Sequence, residues 1–353
     1  MFTLKLIFTF LLTFIFIKLI IKNAKVLGLV DIPNERSSHT KITPRGAGIG
    51  FGFAFFFTIL FFHFDLFIEF WTVFLAIFIV FLVGILDDHK DASPKAKFYA
   101  IFLSTTILYF SDISIYSLGV FLGYEISLWY FALPFTMFAL AGFTNALNLI
   151  DGLDGLAASI SFIILSTFLY LGYKYEDELI ITICSVTLVS LIAFLYFNWN
   201  PAKIFMGDSG SLFLGFIISL VATLSLEYIH PIAVFYLAAI PILDTIIVMT
   251  RRIRKGISPF TPDKTHLHHI LLNFFQKRVK KTVFFLGLMQ VLFSLFGLLL
   301  ALNSKDLGNG LATVSLISFV GITVLFYMIF TGMKRRQKLI EKLALRRSKN
   351  RHK

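Results

Sequence analysis

Asn145 to Ala157 reads NALNLIDGLDGLA, with Asp151 and Asp154 set among glycines where one apolar stretch ends and the next begins. A carboxylate is expensive in hydrocarbon, so acids at the edge of such stretches point to function rather than packing. Asn145, Asn148, Asp151 and Asp154 follow three-residue steps, roughly one face of a helix until Gly152 and Gly155 distort it. A helix cap requires one such residue, not four in register. Carboxylates at a membrane face, among glycines that let a ligand approach the backbone, suit a metal or a phosphate.

Outward from this segment the chain is apolar. Of its 353 residues, 58% are hydrophobic and 15% charged, against roughly a quarter charged in a soluble domain. Runs of about 20 apolar residues, enough to cross a bilayer as helices, recur along the length. Spans are expected at 4–21, 46–63, 67–86, 98–112, 128–148, 155–173, 179–197, 210–226, 231–250, 283–302 and 309–332. The expected fold is an all-α polytopic membrane protein of about 11 transmembrane helices. Residues 1–333 are expected to form one membrane domain, and 334–353 a basic cytoplasmic tail, read as an interfacial helix or as a disordered basic stub. The longest polar insert, Arg251 to Lys281, is too short to fold alone. The first span is too long for a cleaved signal peptide, and no small-x-small site follows it.

Positive charge sets the expected orientation. Lys22, Lys25, Arg36, Lys41 and Arg45 follow the first span, Lys90, Lys95 and Lys97 the third, and Lys203 the seventh. A basic group from Arg251 to Lys281 follows the ninth, whereas the alternate connections offer only Lys174 and Lys305, with Lys5 at the N-terminus. The N-terminus is therefore expected outside, the C-terminus in the cytoplasm and the active site on the cytoplasmic face. The net charge of +12 reports this topology and contact with anionic membrane lipids; no nucleic-acid partner is expected. Cys184 is the only cysteine, which excludes disulfides and a thiolate metal site.

Further polar clusters recur at span ends. Asp87 and Asp88 are adjacent acids that cannot both ionise freely unless a cation offsets them, and Asp91, Lys95 and Lys97 follow. FNWNPAKIFMGDSGS joins a Gly/Ser turn to Asp208 at a helix start, where amides favour anions and the acid would ligate a divalent cation. Phe205 lies three residues earlier and could stack on a base. His266, His268 and His269 lack the spacing of common zinc sites and suit contact with a diphosphate better. His63, His89 and His230 are read as interface or loop residues. The DIPNERSSHTKITPRGAG loop adds Asp31, Arg36, His39, Lys41 and Arg45, a basic Gly-containing segment suited to phosphate or a uracil edge.

Six ordered motifs now stand together: DIPNxRSSH…TPRGxG, DDxxDxSPxxK, NAxNxxDGxDGLA, NPAxxFMGDxGSLxLG, PxxDT and SPFxxDxxHLHH. Between Asp31 and His269 the chain resembles the polyprenyl-phosphate N-acetylhexosamine-1-phosphate transferases, of glycosyltransferase family 4 type, closest to the branch that initiates O-antigen and enterobacterial common antigen. The resemblance implies a phosphoglycosyltransferase of the bacterial inner membrane, multi-pass. It would move N-acetylhexosamine-1-phosphate from a UDP-sugar to undecaprenyl phosphate, releasing UMP and requiring Mg²⁺, with Mn²⁺ as the alternative. It also implies the roles. Asp87 or Asp88 acts as base or nucleophile, and Asp208 with Asn148 binds the metal. Lys97 meets the lipid phosphate. Lys41, Asp151, Asp154 and Phe205 recognise uridine, and His266, His268 and His269 the diphosphate. Ala47 departs from the family's glycine run.

The chemistry is mainly positioning and neutralisation, because a lipid phosphate must approach an already anionic nucleotide-sugar. Direct attack by the lipid phosphate is favoured over a covalent aspartyl-phosphate. The donor stays open among N-acetylglucosamine, N-acetylfucosamine and N-acetylquinovosamine, as does assembly as a homodimer. A muramyl-pentapeptide phosphotransferase shares the chemistry. From another class, a transporter would place its acids near the bilayer midplane, and Asp244 is the residue that suits it best.

Overall fold

Apolar runs with few helix breakers become helices, and polar punctuation sets their ends. The computed structural model describes residues 2–33, 42–90, 92–258, 265–303 and 310–351. Lys41, with Arg36, His39 and Asp91, lies outside them.

The helices are α1 (Phe2–Asn23), α2 (Ala47–Phe62), α3 (Phe64–Glu69), α4 (Trp71–Lys90), α5 (Pro94–Tyr109), α6 (Ala132–Ile150) and α7 (Leu156–Tyr175). They continue as α8 (Glu178–Asn198), α9 (Asp208–Ser225), α10 (Pro231–Leu237), α11 (Ala239–Ile253), α12 (Leu267–Phe274), α13 (Val279–Leu302) and α14 (Leu311–Arg351). The protein is a mostly helical, multi-pass membrane protein. Among the described residues, 8 helices are long and apolar enough to cross a bilayer, or 9 if α10 and α11 count as one.

That is fewer than the eleven expected spans, for identifiable reasons. The segments predicted at 46–63 and 98–112 form α2 and α5, each of 16 residues and so about 24 Å long, short of a hydrocarbon core of about 30 Å. The segment predicted at 231–250 is broken: α10 and α11 meet at 87°. Ala238 separates the two, and Pro241 sits in the first turn of α11, where a missing amide costs no helical hydrogen bond. At the other extreme α14 runs unbroken for 41 residues, so the basic tail continues a membrane helix.

The all-helical expectation also needs correcting. Strands β1 (Val30–Asp31) and β2 (Thr43–Pro44) pair antiparallel beside the helix ends. Between α5 and α6, β3 (Ser117–Phe121) and β4 (Tyr124–Ser127) form a hairpin. Its two turn residues, Leu122 and Gly123, both have positive φ, at 51° and 83°. That is the geometry a two-residue hairpin turn demands.

α9 is the axis of the bundle, 89% buried, against 17% for α14 at the periphery. It packs on α4 and α6, with α2, α7 and α8 completing the ring. Phe51, Phe55 and Phe81 crowd Phe213 of α9 at ring separations of 5.4 to 5.9 Å. Hydroxyls link helices as well: Thr9 to Thr58 at 2.9 Å joins α1 and α2, and Ser104 to the Ala76 carbonyl at 2.9 Å joins α5 and α4. In lipid such bonds contribute only about 0.6 kcal/mol each, so packing dominates.

Candidate functional site at converging helix ends

Glycine brings the site together. α9 begins so close to α4 that a Cβ on Gly84 would lie 2.6 Å from the Ser209 Cα and 2.8 Å from the Asp208 carbonyl oxygen. At the head of α9, Gly207 takes φ 75°, and a Cβ there would lie 2.6 Å from both carboxylate oxygens of Asp88. The chain ahead of α9 is held like a strand: Phe205 donates to the Pro44 carbonyl at 2.8 Å, and Gly48 donates to that of Met206 at 2.9 Å. Ala47 is fully buried, and its amide donates to the Phe205 carbonyl at 3.1 Å.

These contacts frame one cavity of about 360 Å³ at the ends of α4, α6, α8 and α9. Its lining includes Asp87, Asp88, Asn148, Asp151, Asp154, Phe205, Asp208 and His269, joined by Asp31 and Arg45 from the β1–β2 pair. Residues separated by more than a hundred positions in the chain thus share one space. Lys97, from the first turns of α5, reaches in to pair with Asp87 at 2.9 Å and with Asp208. His266 and His268 stand behind the lining, buried, and only His269 of the three reaches it.

The two adjacent acids diverge because consecutive helix residues point about 100° apart. Asp87 faces Lys97 and the cavity. Asp88 turns toward α9, where its carboxylate accepts the Asp208 amide at 2.8 Å, the Ser209 amide at 3.1 Å and the Ser209 hydroxyl. It caps that helix from outside, with its anion on the positive end of the dipole. Arg45 donates to the Asp88 carbonyl at 2.8 Å.

Asp208 is fixed from both sides: Lys97 pairs with one oxygen, and Asn148 donates to the other at 3.1 Å and to Ser211 Oγ at 2.7 Å. Asp151 caps α6, and its carboxylate meets no donor among the described residues. Burial first, then the charges of Asp208, Asp88 and Asp154, push it up to about 7. Asp154 accepts from Asn200 Nδ2 at 2.8 Å and the Ala202 amide at 3.0 Å, and so anchors the loop that carries Phe205. Asn198 ties the same loop, accepting from the Gly155 amide at 2.9 Å and donating to the Ile204 carbonyl at 2.9 Å.

The sequence pattern of glycosyl transferase family 4 matches residues 70–226. A Bacillus subtilis (strain 168) protein described as a probable undecaprenyl-phosphate N-acetylglucosaminyl 1-phosphate transferase is 37% identical over 277 residues, 75% of each chain. The chain belongs to glycosyl transferase family 4. Undecaprenyl-phosphate alpha-N-acetylglucosaminyl 1-phosphate transferases of Yersinia pestis, 33% identical over 76% of each chain, and Escherichia coli K12, 32% over 74% of each, are similar to it along a comparable length.

In this family 4 chain the donor set suits a hard divalent cation. Among the described residues, six aspartates and one arginine line the cavity. Among the described residues no group of three or more His, Cys, Asp or Glu side chains converges to cage a metal. Mg²⁺ does not need such a cage, since it binds through one or two carboxylates and completes its shell with water and phosphate. Asp208 and Asp87, bridged here by the Lys97 ammonium, are two carboxylates that could serve as that pair. Ser209, Ser211 and Asn198 were not singled out from the sequence; the hydroxyls of GDSGS at a helix start and the lone Asn closing α8 were the available signals.

Asp244 is not a free acid in mid-helix. Its carboxylate meets His266 Nδ1 at 2.8 Å and the Leu267 amide at 2.7 Å. His230 likewise has a structural task, capping α10 through Ile232 and meeting Val120 of the hairpin.

Proposed function

We propose that this chain transfers N-acetylhexosamine-1-phosphate from a UDP-sugar to undecaprenyl phosphate and releases UMP, as the first step of a cell-envelope glycan. The observation that carries this reading is the Asp87–Lys97–Asp208 bridge inside an acid-lined cavity at the helix ends, in a chain whose relatives are described as acting on undecaprenyl phosphate. Those relatives' names favour N-acetylglucosamine as the sugar.

Two anionic substrates would meet strong repulsion from each other and from the six aspartates that line the cavity among the described residues. A Mg²⁺ held by Asp208 and Asp87, with Asn148 orienting Asp208, would screen that repulsion and stabilise charge on the leaving UMP. Lys97 is the mobile counter-charge, able to turn from the two carboxylates to the lipid phosphate. Asp87 takes the remaining proton of that phosphate on a carboxylate oxygen, and a phosphate oxygen then attacks the β-phosphorus of the donor directly. Asp88 is committed elsewhere, since the head of α9 engages both its oxygens. Asp151 and Phe205 face the nucleotide, and Asp154 holds the loop behind Phe205.

The asymmetry of basic loops supports an N-terminus outside, a cytoplasmic C-terminus and a cytoplasmic site in the bacterial inner membrane. The test is purified protein with undecaprenyl phosphate, Mg²⁺ and a panel of UDP-N-acetylhexosamines. UMP released with the N-acetylglucosamine donor and lost on chelation is expected. Release of UDP would mean ordinary glycosyl transfer and sink the reading.

A further inference from the structure

Asp244 takes no part in the transfer just described, yet it is 1% exposed inside α11, with Leu243, Ile247 and Val248 buried around it. An uncompensated carboxylate is costly in such a place. Both of its oxygens are engaged, and both partners belong to one short segment. His266 immediately precedes α12, and Leu267 is the first residue of that helix. One carboxylate therefore closes the first turn of α12 and orients an imidazole. Because a carboxylate only accepts, the proton must sit on Nδ1 of His266.

From His266 the contact reaches the cavity through two rings. His268 lies parallel to His266, with centroids 5.8 Å apart and planes at 15°. His268 also rests on the DGLDG loop, where a Cβ on Gly152 would lie 2.4 Å from its Nε2. It is 1% exposed, and neither ring nitrogen has a hydrogen-bond partner among the described residues. Burial first, then the adjacent His269, pushes it down to about 3, so it serves as a neutral spacer. The His269 ring follows at 4.2 Å and lines the cavity.

We propose that Asp244 is a positioning residue for the nucleotide-sugar: through His266 and the first turn of α12 it sets His269 and the Asp151–Asp154 loop against each other at the donor side of the cavity. The donor side would thus be aligned from within a membrane helix, by a residue that touches neither substrate. The inference rests on the transferase reading.

The test is a double-mutant cycle of Asp244→Asn, His266→Leu and the two combined, in detergent with UDP-N-acetylglucosamine, undecaprenyl phosphate and Mg²⁺. Asp244→Asn keeps an oxygen for the Leu267 amide but turns an amide donor toward Nδ1 of His266. Each single variant is expected to raise the donor KM about tenfold while leaving the lipid KM unchanged. Residues acting in series are non-additive, so the double variant is expected to match the worse single variant. An unchanged donor KM, equal losses for both substrates, or additive losses would each overturn the role. Should Asp244→Asn fail to fold, His266→Leu alone decides on the same split, because it leaves the Asp244 cap on Leu267 in place. A wild type that releases no UMP removes the transfer reading and this role together. A working wild type with unaltered variants removes only the role.

Discussion

Asp88 holds the backbone of Asp208 and not its side chain: the carboxylate of one accepts the amide of the other at 2.8 Å, across 120 positions of sequence. The neighbouring Asp87 instead meets the side chain of Asp208 through Lys97. Two acids that look equivalent in the chain therefore do different work, and separate variants should part them. Asp88→Asn would turn an amide donor toward the α9 amides and is expected to cost about 2–3 kcal/mol of stability. Asp87→Asn is expected to keep wild-type melting in detergent and lose turnover by at least about a hundredfold. Melts and UMP release measured side by side decide the matter; equal destabilisation by both would refute the division.

Gly84 leaves no room for a methyl against the backbone of α9. Gly84→Ala should lower stability by about 1–3 kcal/mol, the usual range for overpacking where backbone cannot yield. Thermal melting of the purified variant reads this directly, and an unchanged midpoint would mean that α4 and α9 separate easily.

Asp151 lies well above the ordinary carboxylate, at about 7 against 3.8. The folded protein retains a proton there that the unfolded chain releases, so its contribution to stability falls as pH rises from 3.8 to about 7 and is at its worst beyond. Asp151→Asn should therefore melt higher than wild type at alkaline pH without divalent cations. The gap should close progressively on acidification. A gap independent of pH would show that the carboxylate is not the cause.

Asp208→Ala should abolish turnover while the protein still inserts and folds. Lys97→Ala should chiefly raise the KM for the lipid acceptor, because the ammonium is the cation nearest the acids that the lipid phosphate must approach. Substantial activity in the first, or unaltered acceptor kinetics in the second, would remove these residues from their roles.

Much of the site was legible because its residues are polar groups stranded at the ends of apolar runs. Asp87, Asn148, Asp151 and Asp208 stand out for that reason, and one cavity holds them all. Their partners were less visible. That Asp88 caps α9 depends on a packing distance set by glycine, and composition carries no record of it. The pairing of Asp244 with His266 was hidden in the same way, so an acid in mid-span looked like a transport residue. The hairpin at Leu122–Gly123 escaped because it lies in the connection between the spans expected at 98–112 and 128–148, where aromatic and Gly-rich residues blur the alternation. The break between α10 and α11 was hidden by continuous hydrophobicity across Ala238.

The contact at Gly84 fixes α4 in rotation as well as in place. Each residue turns a helix by about 100° while advancing it by about 1.5 Å. One residue inserted between Gly84 and Asp87 would barely change the depth of Asp87 yet swing it off the cavity like a key turned in its lock. The reactive arrangement is thus stored as an angle, and the three-residue step from Gly84 to Asp87 is part of the chemistry.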